Sequence, residues 1–217
     1  MKKAVIFDLD GTLLDTSKDI CRILNFSLRH FALPELSLEK TVEYVGNGAK
    51  KLVERALPQG NEGMTEEVYR FYAKHFAECD NSLTRIYEGE DAFLKRLKSE
   101  GVKTAIVTNK PQAATDGVYA KLLSAYNFDC VVGQTDEFPL KPDAASTLEI
   151  IKILGVDKKD CLFVGDGETD ILTAKNAGID CLSVLWGFRT KTQLAAAGAK
   201  YFAADYEELA EFVFNAL

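Results

Sequence analysis

Histidine is almost missing from this 217-residue chain, which has only His30 and His75. Neither belongs to an H-E-x-x-H pair, so a zinc site or a histidine nucleophile lacks its usual basis. No Gly-rich loop ends in Lys-Ser/Thr, which disfavours a nucleotide triphosphatase of the P-loop kind, and there is no G-x-S-x-G. The five cysteines (Cys21, Cys79, Cys130, Cys161 and Cys181) are scattered without a C-x-x-C. An odd, unclustered set predicts reduced, packed thiols and a cytoplasmic setting. Long apolar runs are absent as well: Ala4-Val5-Ile6-Phe7 stops at Asp8, too short for a signal-peptide core or a membrane span. Positive charge is in deficit, 26 basic against 33 acidic side chains, a net of −7. That balance argues against a nucleic-acid or anionic-membrane partner. An anionic small molecule would need local positive charge or a metal.

The pattern that is present begins with a buried strand over residues 3–9, a short apolar, β-prone run. A polar break follows, and from about Thr16 to about Asn81 the spacing turns helical. Ile20, Leu24, Leu28 and Phe31 recur along one face, with Thr16 or Ser17 placed to cap the start. Pro34 interrupts this region, and Thr65-Glu66-Glu67 opens another helix with Val68, Phe71, Tyr72 and Phe76 on its apolar side. No strand is predicted in this stretch. Beyond about Tyr87 the chain alternates. Helices are predicted over 90–99, from Pro111 in a first turn, up to about Leu154, and up to Asn176. Strands are predicted over 102–107, 130–132, 161–164 and 180–185. The expectation is an α/β fold: a Rossmann-like parallel sheet with a small helical domain inserted after the first strand. The core would comprise residues 1–14 and 84–217, and the insert residues 15–83.

Four polar elements follow apolar runs or precede helices: Asp8/Asp10/Thr12, Thr108/Asn109, Lys141 and Asp166/Asp170. Ligands of an open parallel sheet bind outside the carboxyl ends of its strands, so these distant segments converge on one edge. Several carboxylates in one place repel each other unless a cation joins them, and hard oxygen ligands suit Mg²⁺. Lys141 adds a point charge, and Thr108 and Asn109 add neutral donors. Together with a metal they make a cradle for a phosphoryl group. Each Asp taken singly reads equally well as a turn residue; the set of four gives the functional reading its force.

On these residues the sequence resembles the haloacid dehalogenase-like superfamily. Its first signature, Asp-x-Asp-x-Thr, stands here as Asp8-Leu9-Asp10-Gly11-Thr12. Its second matches Thr108, its third Lys141 in Leu140-Lys141-Pro142, and its fourth Gly165-Asp166 through Asp170. Gly167 departs from the pattern, where a serine is common. The resemblance implies that Asp8 attacks phosphorus, and that Asp10 protonates the leaving alcohol and later activates water. It implies Mg²⁺ held by Asp8, the Asp10 carbonyl, Asp166 and Asp170, with Thr108, Asn109 and Lys141 binding the phosphate. Asp10 favours ester chemistry over that of dehalogenase relatives, which lack this second carboxylate.

The insert resembles the helical cap of that superfamily. The stretch from Tyr44 to Leu57 and the segment Trp186-Gly187-Phe188-Arg189 resemble phosphoglycolate phosphatases in particular. Gly46-Asn47-Gly48 can turn tightly into a helix whose N-terminus attracts an anion. Gly46, Asn47, Gly48, Lys50 and Arg189 are therefore possible specificity residues. Lys50, Lys51 and Arg55 read equally as a solvated helix face, Arg189 as a loop ion pair, and Glu168 as a helix-start carboxylate. The leading expectation is a phosphatase of a small phosphate ester, 2-phosphoglycolate first, acting as a monomer or homodimer. A pyrophosphatase, a broad sugar-phosphate phosphatase, a sugar-phosphate mutase and a non-catalytic phosphate-binding module are the alternatives.

Overall fold

The computed structural model describes residues 1–215. The chain opens with β1 (Ala4–Phe7) and β2 (Leu14–Asp15), then four helices: α1 (Ser17–His30), α2 (Leu38–Tyr44), α3 (Ala49–Ala56) and α4 (Thr65–Ala77). Next come β3 (Arg85–Ile86), α5 (Glu90–Ser99), β4 (Lys103–Pro111), α6 (Gln112–Val118), β5 (Cys130–Gln134) and α7 (Ala145–Leu154). The last third holds β6 (Cys161–Gly165), α8 (Glu168–Ala177), β7 (Asp180–Val184), α9 (Lys191–Ala196), β8 (Tyr201–Ala203) and α10 (Tyr206–Phe214). Among the described residues one sheet has six strands in the order β5-β4-β1-β6-β7-β8, and every neighbouring pair is parallel. The strand order runs outward from β1 to β5, then restarts on the other side of β1 at β6. That reversal leaves a crevice at the carboxyl ends of β1, β4 and β6.

Strand β1 shows why the sheet forms from this sequence. Val5 and Phe7 face one core, with Phe93 and Leu97 of α5 and Leu209 and Val213 of α10. Ala4 and Ile6 face the other, with Ile150, Ile151 and Leu154 of α7 and Ala174 of α8. Side chains alternate along a strand, so one covered on both faces must be apolar throughout. No helix among the described residues is long and apolar enough to cross a membrane.

Helices α1 to α4 enclose a separate core of Ile20, Ile23, Leu24, Leu28, Leu52, Val53, Val68, Tyr72 and Phe76. The α1 residues of that set recur at helical spacing and present one apolar stripe. Both histidines lie here, each with its ring 4.1 Å from that of Phe71. The insert is entered and left through β2 and β3, which pair antiparallel with Leu14 opposite Ile86 and Asp15 opposite Arg85. At two residues each, these strands carry no sequence pattern.

Three local expectations are corrected. Thr16 occupies the cap position of α1 but makes no capping bond; Asp15 Oδ1 instead accepts from Ser17 N at 3.1 Å and Ser17 Oγ at 2.6 Å. Strand β4 continues past Val107, with an irregularity in register, until Pro111 pairs with Gln134. Pro111 therefore has extended backbone (φ −52°, ψ 137°) and precedes α6 instead of forming its first turn. Beyond Leu185 the fold is completed by α9, β8 and α10.

Candidate active site

Asp8 follows β1 directly, its N–H donating to Val164 O at 2.9 Å in the ladder with β6. The chain then turns through Gly11, whose φ is +84°. A Cβ there would stand 2.3 Å from Asp166 Oδ2, so the turn needs glycine for both its backbone and its lack of bulk. Gly165, at the end of β6, makes room in the same way: a Cβ would meet the Asp170 carboxyl at 2.3 Å. Two glycines thus allow two strand ends to bring their carboxylates together.

Asp8, Asp166 and Asp170 each present an oxygen within 4.8 Å of the others. Lys141 Nζ joins two of them, 2.7 Å from Asp170 Oδ1 and 2.9 Å from Asp8 Oδ1, and is buried. Asp8 Oδ1 also accepts from Leu9 N at 2.7 Å. Asp166 accepts from Thr12 Oγ1 at 2.9 Å and from Phe188 N at 2.7 Å. Asp170 Oδ2 accepts from Gly167 N at 2.9 Å, so a glycine at 167 still supplies its main-chain bond.

Electrostatics mark this cluster as a cation site. Burial, then repulsion from Asp170 and Asp8, pushes Asp166 up to about 8. Burial also raises Asp8 to about 6, with Lys141 opposing and Asp170 and Asp10 adding to the rise. Burial works against the Lys141 charge, but Asp170 and Asp8 overcome it and hold its pKa above the ordinary lysine range. With all three carboxylates ionised, as metal ligands must be, they stand against one ammonium and leave a net of −3 + 1 = −2 in a buried space. Hard oxygen donors with that deficit fit a small divalent cation of the Mg²⁺ kind.

The remaining predicted residues divide. Thr108 lines the cleft and is buried. Asn109 does too, but its side chain is spent on the protein: Oδ1 accepts from Lys141 N at 2.8 Å, and Nδ2 donates to the carbonyls of Lys141 and Gly46 at 3.0 Å each. The Asp10 carboxylate stands outside the three-carboxylate cluster and pairs with Lys110 Nζ at 2.9 Å. Gly46, Asn47 and Gly48 line the cleft from the insert, and Gly48 caps α3 without a side-chain bond. Lys50 does not join them; its ammonium pairs with Glu66 at 2.8 Å on the exposed side of α3. Arg189 reaches the cleft but is engaged by Glu168 at 3.3 Å and by the carbonyls of Val42 at 3.1 Å and Val45 at 2.5 Å. Ile20, Val45, Leu52, Tyr72 and Phe76 make the insert's side of the cleft largely apolar.

Sequence reasoning missed two contributors. The Phe188 main chain holds Asp166, and no side-chain pattern announces a backbone donor. Lys110 follows Thr108-Asn109 without belonging to any of the four signatures, yet its side chain is 1% exposed. The only available signal was its place immediately after a predicted phosphate-binding pair.

Comparison with known proteins defines the class. Residues 5–184 match the profile of the haloacid dehalogenase-like hydrolases. The chain belongs to that family. It is 34% identical over 194 residues to phosphoglycolate phosphatase 1 of Pseudomonas aeruginosa, covering 87% of this chain and 71% of that protein. It is also 34% identical over 187 residues to the phosphoglycolate phosphatase of Aquifex aeolicus, covering 86% of each. Among solved structures, a protein from Lactobacillus delbrueckii subsp. bulgaricus, proposed to be a phosphoglycolate phosphatase, superposes with a TM-score of 0.88. It is 31% identical, and the match covers 100% of both chains.

Proposed function

We propose that this protein is a Mg²⁺-dependent phosphatase of small phosphate monoesters, with 2-phosphoglycolate as its substrate. The carrying observation is the junction of Asp8, Asp166 and Asp170 at the carboxyl edge of the sheet, with Lys141 bridging Asp8 and Asp170. The substrate rests on the likeness to relatives named phosphoglycolate phosphatase. It is supported by the open N-terminus of α3, where main-chain N–H groups behind Gly48 can receive an anion.

Asp8 Oδ1 is occupied by Leu9 N and Lys141 Nζ, which leaves Oδ2 as the nucleophile. In the first step this oxygen bonds to phosphorus as the ester P–O bond breaks, and Asp10 gives its proton to the leaving alcohol. In the second, water attacks phosphorus, the bond between phosphorus and the Asp8 oxygen breaks, and Asp10 takes the proton from water. Inorganic phosphate then leaves. Thr108 and Lys141 bind the non-bridging oxygens, while Asn109 fixes the Lys141 main chain. Asp8, Asp166, Asp170 and the Asp10 carbonyl would hold Mg²⁺, which would supply neutralising charge at the phosphoryl group.

Residues 15–83 act as a cap over a core of residues 1–14 and 84–217, of which 216 and 217 lie outside the described residues. The paired β2 and β3 strands, where the chain crosses between the two, support that boundary. Free thiols at all five cysteines support a reducing, cytoplasmic location.

The test is phosphate release from 2-phosphoglycolate, sugar phosphates, pyrophosphate and p-nitrophenyl phosphate, with Mg²⁺, with chelator, and with Asp8→Asn. Preference for 2-phosphoglycolate that is lost in both controls is the expected result. Metal-dependent release favouring another ester retires the substrate and keeps the mechanism. No turnover by folded, Mg²⁺-supplied protein overturns the whole reading.

A further inference from the structure

Lys110 is a buried cation that the steps above leave without a task. It lies at the end of β4, with its side chain 1% exposed, and lines the cleft. An ammonium has three N–H donors. Among the described residues its one hydrogen bond goes to Asp10 Oδ1 at 2.9 Å. The Phe76 ring of the insert lies 4.1 Å from Nζ and contributes a π face but no acceptor. Two donors on a desolvated charge therefore have no protein acceptor, and a buried donor left unpaired is costly. The other cations of this region are committed: Lys141 to Asp8 and Asp170, and Arg189 to Glu168 and cap-loop carbonyls.

Position identifies what would complete Lys110. It flanks Asp10, the group assigned to the leaving alcohol, so it borders the leaving-group end of the cleft and not the phosphoryl end. Phe76 lies over it there, and Ile20, Leu52 and Tyr72 continue the apolar side of the same cleft, so little competes with a ligand for the charge. An anionic leaving group would meet its cation in this corner; a neutral one would leave the ammonium unsatisfied. An ammonium is a point charge with rotatable donors and accepts a carboxylate without demanding bidentate geometry.

We propose that Lys110 is a specificity-determining residue that selects phosphate esters whose leaving group carries a carboxylate, by pairing with that carboxylate beside Asp10. The inference rests on the phosphatase reading of the same site. The N–H groups at the start of α3 add neutral donors, and Lys110 adds the charge.

The experiment compares kcat/KM for 2-phosphoglycolate with kcat/KM for 2-hydroxyethyl phosphate, similar in size but neutral in its leaving group. It uses wild-type protein, Lys110→Met, Lys110→Gln and Lys110→Arg, all with saturating Mg²⁺. Loss of the Asp10 contact slows both esters alike, so the ratio of the two values isolates recognition of the carboxylate. The ratio is expected to fall about 100-fold in Lys110→Met and Lys110→Gln, mainly through KM for 2-phosphoglycolate. Lys110→Arg, which keeps the charge, should retain part of the ratio. An unchanged ratio in either folded neutral variant overturns the inference, leaving Lys110 as a positioning residue for Asp10 and the phosphatase reading intact. A wild-type enzyme that turns over both esters without preferring the carboxylate retires the named substrate and this inference together. No wild-type turnover of either ester overturns the phosphatase reading itself.

Discussion

Glu90 should make the protein less stable as pH rises, and Glu90→Gln should remove that dependence. Its side chain is 0% exposed, and neither carboxylate oxygen has a hydrogen-bond partner among the described residues. Burial, opposed by the Tyr87 main chain and with Asp91 adding a little, raises its pKa from 4.5 to about 9. Its place at the start of α5 favours the anion by only ~0.3–1 kcal/mol, too little to offset desolvation. The sign follows from proton binding. Between the unfolded value near 4.5 and the folded value near 9, the native state holds a proton that the unfolded chain has lost. Stability therefore declines across that window, by about 1.4 kcal/mol per pH unit, and levels off above it. From pH 5 to pH 7 this amounts to about 3 kcal/mol for the one group. Urea unfolding at fixed Mg²⁺ from pH 5 to pH 9 reads it as wild type minus Glu90→Gln, which cancels the other titrating groups. Parallel curves for the two proteins would refute the reasoning.

Asp10→Asn should lower kcat by ~10²–10⁴ for an alkyl phosphate, which needs its alcohol protonated, and much less for p-nitrophenyl phosphate in a single-turnover assay of the first step. Equal losses in that step would mean that Asp10 does not serve the leaving group. Gly165→Ala should displace the Asp170 carboxyl, which stands 2.3 Å from the new Cβ. Activity should fall and the Mg²⁺ concentration for half-maximal rate should rise, and an unaltered Mg²⁺ titration contradicts this. Asn109→Ala removes three hydrogen bonds to the Lys141 main chain and Gly46. It should cost about 1–3 kcal/mol in unfolding free energy and slow turnover of every ester tested. A fully active, fully stable variant would show that the clamp is dispensable.

What was legible in the sequence follows from the physics of a buried parallel sheet. Ala4 to Phe7 had to be apolar on both faces, and Cys161 to Val164 likewise, so both announce themselves by composition. Once strands are recognised, the edge where they end is known, and Asp8, Thr108 and Asp166 fall on it without further information. Side-chain commitments are different, because they depend on contacts between segments. Asn109 reads as a donor for phosphate, but its amide is taken by Lys141 and by Gly46 of the insert. Lys50 sits at the right end of α3, yet the helix turns it toward Glu66. Lys110 is buried partly because Phe76, from α4, lies over it. No spacing within one segment carries that kind of fact.

Three of the contacts that join the insert to the core are made by neighbours of the proposed catalytic groups. Asn109 holds Lys141 N with one end of its amide and Gly46 O with the other. Lys110 holds Asp10 and lies under Phe76. Arg189 binds the carbonyls of Val42 and Val45, and the residue before it, Phe188, gives its N–H to Asp166. Each bridge reaches a different group of the proposed mechanism: Lys141, Asp10 and Asp166. A shift of the insert therefore strains all three at once, whereas a rim contact far from the chemistry would strain none. Seating the insert and setting the geometry of the site are, in this chain, parts of one packing arrangement. At the cleft itself the insert meets the core through the carbonyls of Val42, Val45 and Gly46 and through the Phe76 ring, which leaves its own polar side chains out of these three bridges.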